Sequence, residues 1–195
     1  KRQLLDDGRI TFCGEESFGT GSAHIREKDG LWAVLFWLNL LAVRHQSVAE
    51  IVMAHWQQYG RDYYTRHDYE NLDSQLAEQL VADLLEQLGS LPGQRINGFL
   101  VTAADDFCYK DPVDGSLSEH QGIRIIFGEQ ARIVVRLSGT GTEGATLRLY
   151  FEQYEATDGQ LNQRTEEFLQ PLLAAGERLL PVCQKTGRSG PDVIT

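Results

Sequence analysis

Cysteine, positive charge and long apolar runs are all scarce in this 195-residue chain. Its cysteines are Cys13, Cys108 and Cys183, far apart and odd in number. That set excludes a disulfide framework and the close spacing of a zinc site, and reads as buried thiols in a reducing cytosolic setting. Lysine and arginine total 18 against 28 aspartates and glutamates, for a net charge of -10 and a pI of about 4.9. Such a field repels phosphate backbones, which argues against broad nucleic-acid binding. A small anionic ligand would need a local basic cluster. From Leu31 to Val43 only Asn39 is polar, but a bilayer needs about 20 apolar residues, so no membrane span is expected. The run is read instead as a helix buried on most sides in a soluble core. The start, Lys1-Arg2-Gln3-Leu4-Leu5, has neither an initiator methionine nor a signal-peptide pattern. The expectation is a chain that begins inside a larger protein.

What is present is an ordinary globular composition, 42% hydrophobic and 24% charged. Glycines punctuate residues 1–30, with a strand expected around Ile10–Phe12. Ser47 and Glu50 form a capping-box pattern ahead of an apolar stripe through Val48, Ile51, Val52, His55, Trp56 and Tyr59. On that stripe His55 reads as a packed core histidine rather than a metal ligand. Arg61 to Tyr69 is expected to be a strand, and Leu72, Leu76, Leu80, Leu84 and Leu88 make a helical stripe ended by Gly89 and Pro92. Strands are expected over 96–102, 123–127, 133–137 and 145–151, with Pro171 opening a last helix. Strands that follow one another without regular alternation indicate an α+β fold with a mostly antiparallel sheet from about residue 60 onward.

Two stretches carry chemistry. "RLSGTGTEGATLRLY" spans Arg136 to Tyr150. A period of two puts Ile133, Val135 and Leu137 on one face, matched by Ala145, Leu147, Leu149 and Phe151, and turns Arg136 and Arg148 to the other. Between them, Ser138-Gly139-Thr140-Gly141-Thr142-Glu143-Gly144 has no apolar side chain. Glycines let backbone N–H groups approach a ligand, and arginine forks match phosphate bidentately. The loop reads as a phosphate cradle or as a glycine-rich hairpin with solvated arginines; Glu143, discordant beside an anion, is expected to point outward. The other stretch, "FCGEESFGTGSAHIREKDG", runs from Phe12 to Gly30. Glu15 and Ser17 fall on one side of an extended segment, where they can meet sugar hydroxyls, and His24, Arg26 and Lys28 add positive charge. A polar turn leading into a helix is the alternative.

Together "CGEESFGTGS", "HIREKDGLWAVLFWL", "DPVDGS", "QGIRIIF", "RLSGTGTEGATLRLY" and "KTGRSGPDVIT" resemble phosphoglucomutase, of the α-phosphohexomutase superfamily, in order and over essentially the whole chain. The resemblance implies four domains around one cleft, of which this chain holds the end of an α/β sugar-binding third domain (residues 1–55) and a fourth, phosphate-binding domain (residues 56–195). That fourth domain would resemble the TATA-binding-protein fold, a mostly antiparallel sheet flanked by helices. It implies Glu15, Ser17 and Lys28 at the sugar and Arg136, Ser138, Gly139, Thr140, Gly141 and Arg148 at the phosphate. The implied reaction interconverts glucose 1-phosphate and glucose 6-phosphate in the cytoplasm, through a phosphoserine and glucose 1,6-bisphosphate with Mg²⁺. A noncatalytic sugar-phosphate-binding module is the alternative, and mannose or N-acetylglucosamine phosphate are alternative substrates.

Departures from the pattern qualify what this chain does alone. Ala23 stands where relatives commonly carry an aspartate, which would cost His24 a hydrogen bond. The chain has no Thr-Ala-Ser-His-type nucleophile loop and no alternating-aspartate metal loop. Asp6-Asp7 and Asp105-Asp106 are adjacent pairs, read as solvated turn charges. No residue of this chain is expected to bind the metal or glucose 1,6-bisphosphate as a cofactor. Its expected partner is the N-terminal part of its own parent protein, and the chain alone is expected to be inactive.

Overall fold

In the computed structural model, which describes residues 2–14, 19–25, 27–141 and 144–195, the chain divides into two compact units. One holds residues 1–55 with 111–116 and the other residues 56–110 with 117–195. The first opens with a short helix, α1 (Arg2–Asp6), and an antiparallel hairpin, β1 (Phe12–Gly14) with β2 (Thr20–Ser22). Helix α2 (Gly30–Arg44) follows. Asp29 caps it by accepting from the Trp32 N–H at 2.9 Å, a bond that holds the carboxyl below its usual pKa with help from His24. His45 ends it in the left-handed conformation (φ 51°) and donates its N–H to the Leu41 carbonyl. Helix α3 (Val48–Tyr59) starts at the expected capping box: the Ser47 N–H donates to Glu50 Oε2 at 2.7 Å and the Glu50 N–H to Ser47 Oγ at 3.3 Å.

The apolar run does form a helix, but its expected burial is wrong for this chain. No residue of α2 is buried; Leu31 is 80% exposed, and Leu35, Leu38 and Val43 are more than half exposed. Phe12 of the hairpin meets Trp32 and Phe36 at centroid distances of 6.3 and 5.6 Å and covers one stripe. A helix apolar on all sides needs cover on all of them. His55 is likewise exposed rather than packed in a core, on a helix that buries none of its residues.

The second unit is built on strand β3 (Arg61–Leu72), helix α4 (Ser74–Gln87), β4 (Arg95–Ile96), β5 (Phe99–Leu100), β6 (Ala103–Asp106), β7 (Tyr109–Lys110), β8 (Leu117–Ser118), β9 (Ile123–Phe127), β10 (Ala131–Gly141), β11 (Gly144–Glu155), α5 (Thr165–Leu179), α6 (Val182–Thr186) and β12 (Val193–Ile194). Six strands form one sheet in the order β12-β3-β11-β10-β9-β6, all pairings antiparallel. Alternation decides its faces. Ile123, Ile125, Phe127, Ile133, Val135, Leu147, Leu149 and Phe151 are buried in a core closed by Leu80 and Leu84 of α4 and Leu169, Leu172 and Leu179 of α5. The helices therefore lie on one face, and the other is polar. This is the expected α+β architecture.

Five local expectations fail. The thiols are not buried, Cys108 being exposed and Cys13 and Cys183 half-buried, and Leu72 ends β3 rather than opening the helical stripe. The segment 96–102 is not one strand, because Asn97 (φ 48°) and Gly98 (φ 93°) turn it into the β4–β5 hairpin. Pro171 lies inside α5, which starts six residues earlier at Thr165; its carbonyl accepts from Asn97 Nδ2 at 2.7 Å. Asp105 and Asp106 belong to β6 and are paired, with Arg124 and His120, rather than solvated in a turn.

Candidate functional site

The stretch from Ser138 to Gly144 is less loop than its composition suggests. Strand β10 runs to Gly141 and β11 resumes at Gly144, and these two glycines are register partners. Between Ser138↔Thr146 and Gly141↔Gly144 the register slips, leaving one extra residue on β10. Gly139 supplies the left-handed conformation (φ 69°) that such a bulge uses. Gly144 (φ 94°) lies so close to β3 that a Cβ there would come within 3.1 Å of the Leu72 carbonyl. Ser138 is half-buried, with Oγ 3.5 Å from the Thr146 carbonyl, a long contact that leaves the hydroxyl able to serve another acceptor. Thr142, Glu143 and the side chain of Thr140 lie outside the described residues.

Below the bulge, Arg136 and Arg148 are direct cross-strand partners on the polar face. Arg136 is exposed and makes no ion pair among the described residues. A Cβ on Gly122 would fall 2.9 Å from its Cγ, so the bare glycine (φ 143°) leaves room for the arginine stem. Arg148 is held differently. Its strand partner on β3 is Asp68, which is buried. Asp68 Oδ1 accepts from Arg66 Nε at 2.9 Å, and Oδ2 lies 3.5 Å from Arg148 Nε. That second contact is an ion pair without hydrogen-bond geometry, because Arg148 Nε is buried with no hydrogen-bond acceptor. Lower on the same face arginines meet carboxylates directly. Arg124 donates to Asp105 at 2.8 and 2.7 Å and lowers its carboxyl pKa, and Arg132 meets Glu152 at 2.6 Å. Near the bulge, Asp68 meets both Arg66 and Arg148, and Arg136 is the cross-strand partner of Arg148, so three arginines share this part of the face on a chain of net charge -10.

The sugar-side candidates belong to the first unit. Glu15 and Ser17, with Arg26, lie outside the described residues. Lys28 is exposed and lies over Gly19, where a Cβ would come 2.8 Å from Lys28 Cδ and 3.3 Å from Nζ. Beside Ala23, His24 Nδ1 pairs with Ser22 Oγ and Nε2 with Asp29 Oδ2 at 3.0 Å, and the ring stacks on Trp32. Among the described residues no three His, Cys, Asp or Glu side chains converge as a metal site, and no helix is long and apolar enough to cross a membrane. Sequence reasoning missed Asp68, Arg66 and Gly122. Their one signal was the alternation of Arg66 and Asp68 on the polar face of an expected strand.

Two family models match the chain. Phosphoglucomutase-1, C-terminal domain, covers residues 61–192, and phosphoglucomutase/phosphomannomutase, alpha/beta/alpha domain III, covers residues 1–59. Similar relatives include the phosphoglucomutase of Rhizobium radiobacter (55% identity), a probable cytoplasmic phosphoglucomutase of Arabidopsis thaliana (49%) and phosphoglucomutase-1 of Homo sapiens (48%). Each alignment takes in 98% of this chain but only 35%, 36% and 35% of the relative. The chain thus spans about a third of the length of the curated relatives it matches. Among solved structures, the open form of the exocytosis-sensitive phosphoprotein pp63/parafusin, a Paramecium phosphoglucomutase, superimposes with a TM-score of 0.86 at 46% identity, over 98% of this chain and 34% of that one.

Proposed function

The chain belongs to the phosphoglucomutase family, and on that premise we propose that it is the substrate-recognition half of a cytoplasmic enzyme interconverting glucose 1-phosphate and glucose 6-phosphate. In this reading residues 1–55 end the third domain and residues 56–195 form the phosphate-binding domain. The observation that carries it is the direct pairing of Arg136 with Arg148 on the polar face, below a glycine bulge. Two guanidinium forks there can bind the nonreacting phosphate, and Ser138 with the backbone of Gly139, Thr140 and Gly141 adds donors. Glu15 and Ser17 take the sugar hydroxyls, and Lys28 supplies charge near the reacting end.

The chemistry then runs in two transfers. A phosphoserine elsewhere in the parent gives its phosphoryl group to the sugar hydroxyl, forming glucose 1,6-bisphosphate and a free serine. After the intermediate turns over, the other phosphoryl group returns to that serine and the product leaves. The arginine patch must hold either phosphate in turn, which suits a rim of donors more than a closed pocket. Mg²⁺, held by the parent outside this chain, would neutralise charge developing on the transferred group. The contribution of this half is positioning and electrostatic stabilisation. The N-terminal part of the parent is also the partner proposed to cover the exposed α2.

The test is a coupled assay with glucose 1-phosphate, glucose 1,6-bisphosphate and Mg²⁺ on the parent polypeptide and on this chain alone. Turnover by the parent and none by the chain is expected. An inactive parent that still binds glucose 1-phosphate would instead support a noncatalytic binding module, and turnover by the isolated chain would overturn the division of labour.

A further inference from the structure

Strand β3 carries an irregularity opposite the start of β11. Ala145 pairs with Leu72 and Leu147 with Tyr69, so one extra residue sits on β3, with Asn71 left-handed (φ 52°). A bulge frees backbone groups that the ladder no longer satisfies. Here the segment Arg188–Thr195 takes them. Asp192 Oδ2 accepts from the Glu70 N–H at 2.8 Å, and Arg188 Nη2 donates to the Glu70 carbonyl at 2.7 Å. Arg188 and Asp192 also pair with each other. Immediately beyond, the Asp192 N–H donates to the Asp68 carbonyl at 2.9 Å, Val193 is the register partner of Asp68, and Thr195 exchanges both backbone bonds with Arg66. The strap therefore fixes the backbone of the residue whose carboxylate faces Arg148, and of the arginine that shares it.

We infer that Arg188 and Asp192 are positioning residues for the phosphate site, acting through β3 and Asp68 on Arg148. The inference rests on the reading that Arg148 grips phosphate. Arg148 Nε has no hydrogen bond of its own; its ion-pair neighbour is Asp68, whose backbone the strap holds and whose carboxylate Arg66 holds. Neither strap residue is buried, and a merely structural role would affect phosphate binding only through overall stability.

The experiment is a double-mutant cycle in the parent polypeptide, with glucose 1-phosphate as the probe. The readouts are KM, kcat and the thermal midpoint. Arg188→Ala should raise KM on the order of tenfold, as small misplacements of binding groups do, with kcat little changed. In an Arg148→Ala background the same substitution should change KM by about twofold or less, since residues acting through one another are not additive. Equal fold-changes in both backgrounds would show that the strap only supports the fold and would overturn the inference. If Arg188→Ala does not fold, Asp192→Asn, which keeps shape and removes charge, carries the same comparison with the same two outcomes. If Arg148→Ala itself leaves KM unchanged, the phosphate reading fails and the inference falls with it; a raised KM in that variant with additive strap effects sinks the inference alone.

Discussion

Arg136 and Arg148 are cross-strand partners, yet their surroundings predict unequal losses when each is cut to alanine. At about 4 Å and an effective dielectric near 20, a unit charge pair is worth about 4 kcal/mol; in bulk water the same pair is worth about 1 kcal/mol. Arg136 is exposed and belongs near the second limit. The Arg148 side chain is 40% exposed with its Nε buried, so it belongs between the limits, at about 2–3 kcal/mol. On the scale of about 1.4 kcal/mol per tenfold, Arg136→Ala should raise KM for glucose 1-phosphate roughly fivefold and Arg148→Ala roughly 30- to 150-fold. Inorganic phosphate, measured as a competitive inhibitor, should weaken by the same factors, since the proposed function puts both contacts on phosphate. Salt should separate them further, because exposed charges are screened within a Debye length of about 8–10 Å and buried ones much less. Steady-state kinetics of the parent polypeptide at low and high ionic strength measures all of this. Equal losses for the two variants, or a larger loss at Arg136, would refute the reasoning from burial.

Two further predictions concern the second unit. A Cβ on Gly176 would sit 2.5 Å from Phe151 Cε1, so Gly176→Ala should push α5 off the sheet and cost about 1–3 kcal/mol of stability in a denaturant titration; unchanged stability would show that the ring can give way. Burial holds the His67 pKa below its usual value, with Asp68 opposing more weakly. The unfolded chain therefore takes up the proton first, so the contribution of His67 to stability is complete above about pH 6.5 and is lost as pH falls from there toward the folded-state value. Unfolding midpoints at about pH 8 and about pH 5.5 should differ less in His67→Gln than in the unsubstituted protein; an identical difference would remove His67 as the cause.

Much of the polar face was legible before any coordinates. A period of two places Arg136 and Arg148 opposite the buried Ile133, Val135, Leu147 and Leu149, because side chains in a strand have only two faces to occupy. What the period cannot supply is register. That Arg148 meets Asp68 depends on how β3 lies beside β11, and the bulge at Glu70–Asn71 resets that alignment by one residue. Nothing in "RHDYEN" announces the bulge, since its backbone groups are satisfied by Arg188 and Asp192 more than a hundred residues later. The Asn97-Gly98 turn is the opposite case. Its sequence signal was available and strong, and a continuous apolar reading of 96–102 overrode it. Pro171 misled for a local reason: proline is favoured in a first helical turn, but it is tolerated in α5 where packing of Leu169 and Leu172 into the core outweighs one missing N–H.

The failure at α2 has a different source. Hydrophobic pattern states that a surface is to be covered; it does not state by what. In the second unit the covering elements are all in the chain. Strands β9, β10 and β11 and helices α4 and α5 bury one another's apolar faces, and pattern and burial agree residue by residue. In the first unit the pattern from Leu31 to Val43 is stronger, yet no residue is buried, because Phe12 and its hairpin reach only one stripe. Residues 1–59 match an alpha/beta/alpha domain, an architecture in which helices pack on a central sheet, and relatives nearly three times as long have more chain from which such a sheet can come. The arginine pair and Lys28 thus rest on unlike foundations. Arg136 and Arg148 are fixed by a sheet whose core closes within this chain, whereas Lys28 leads directly into a helix that its own unit leaves bare.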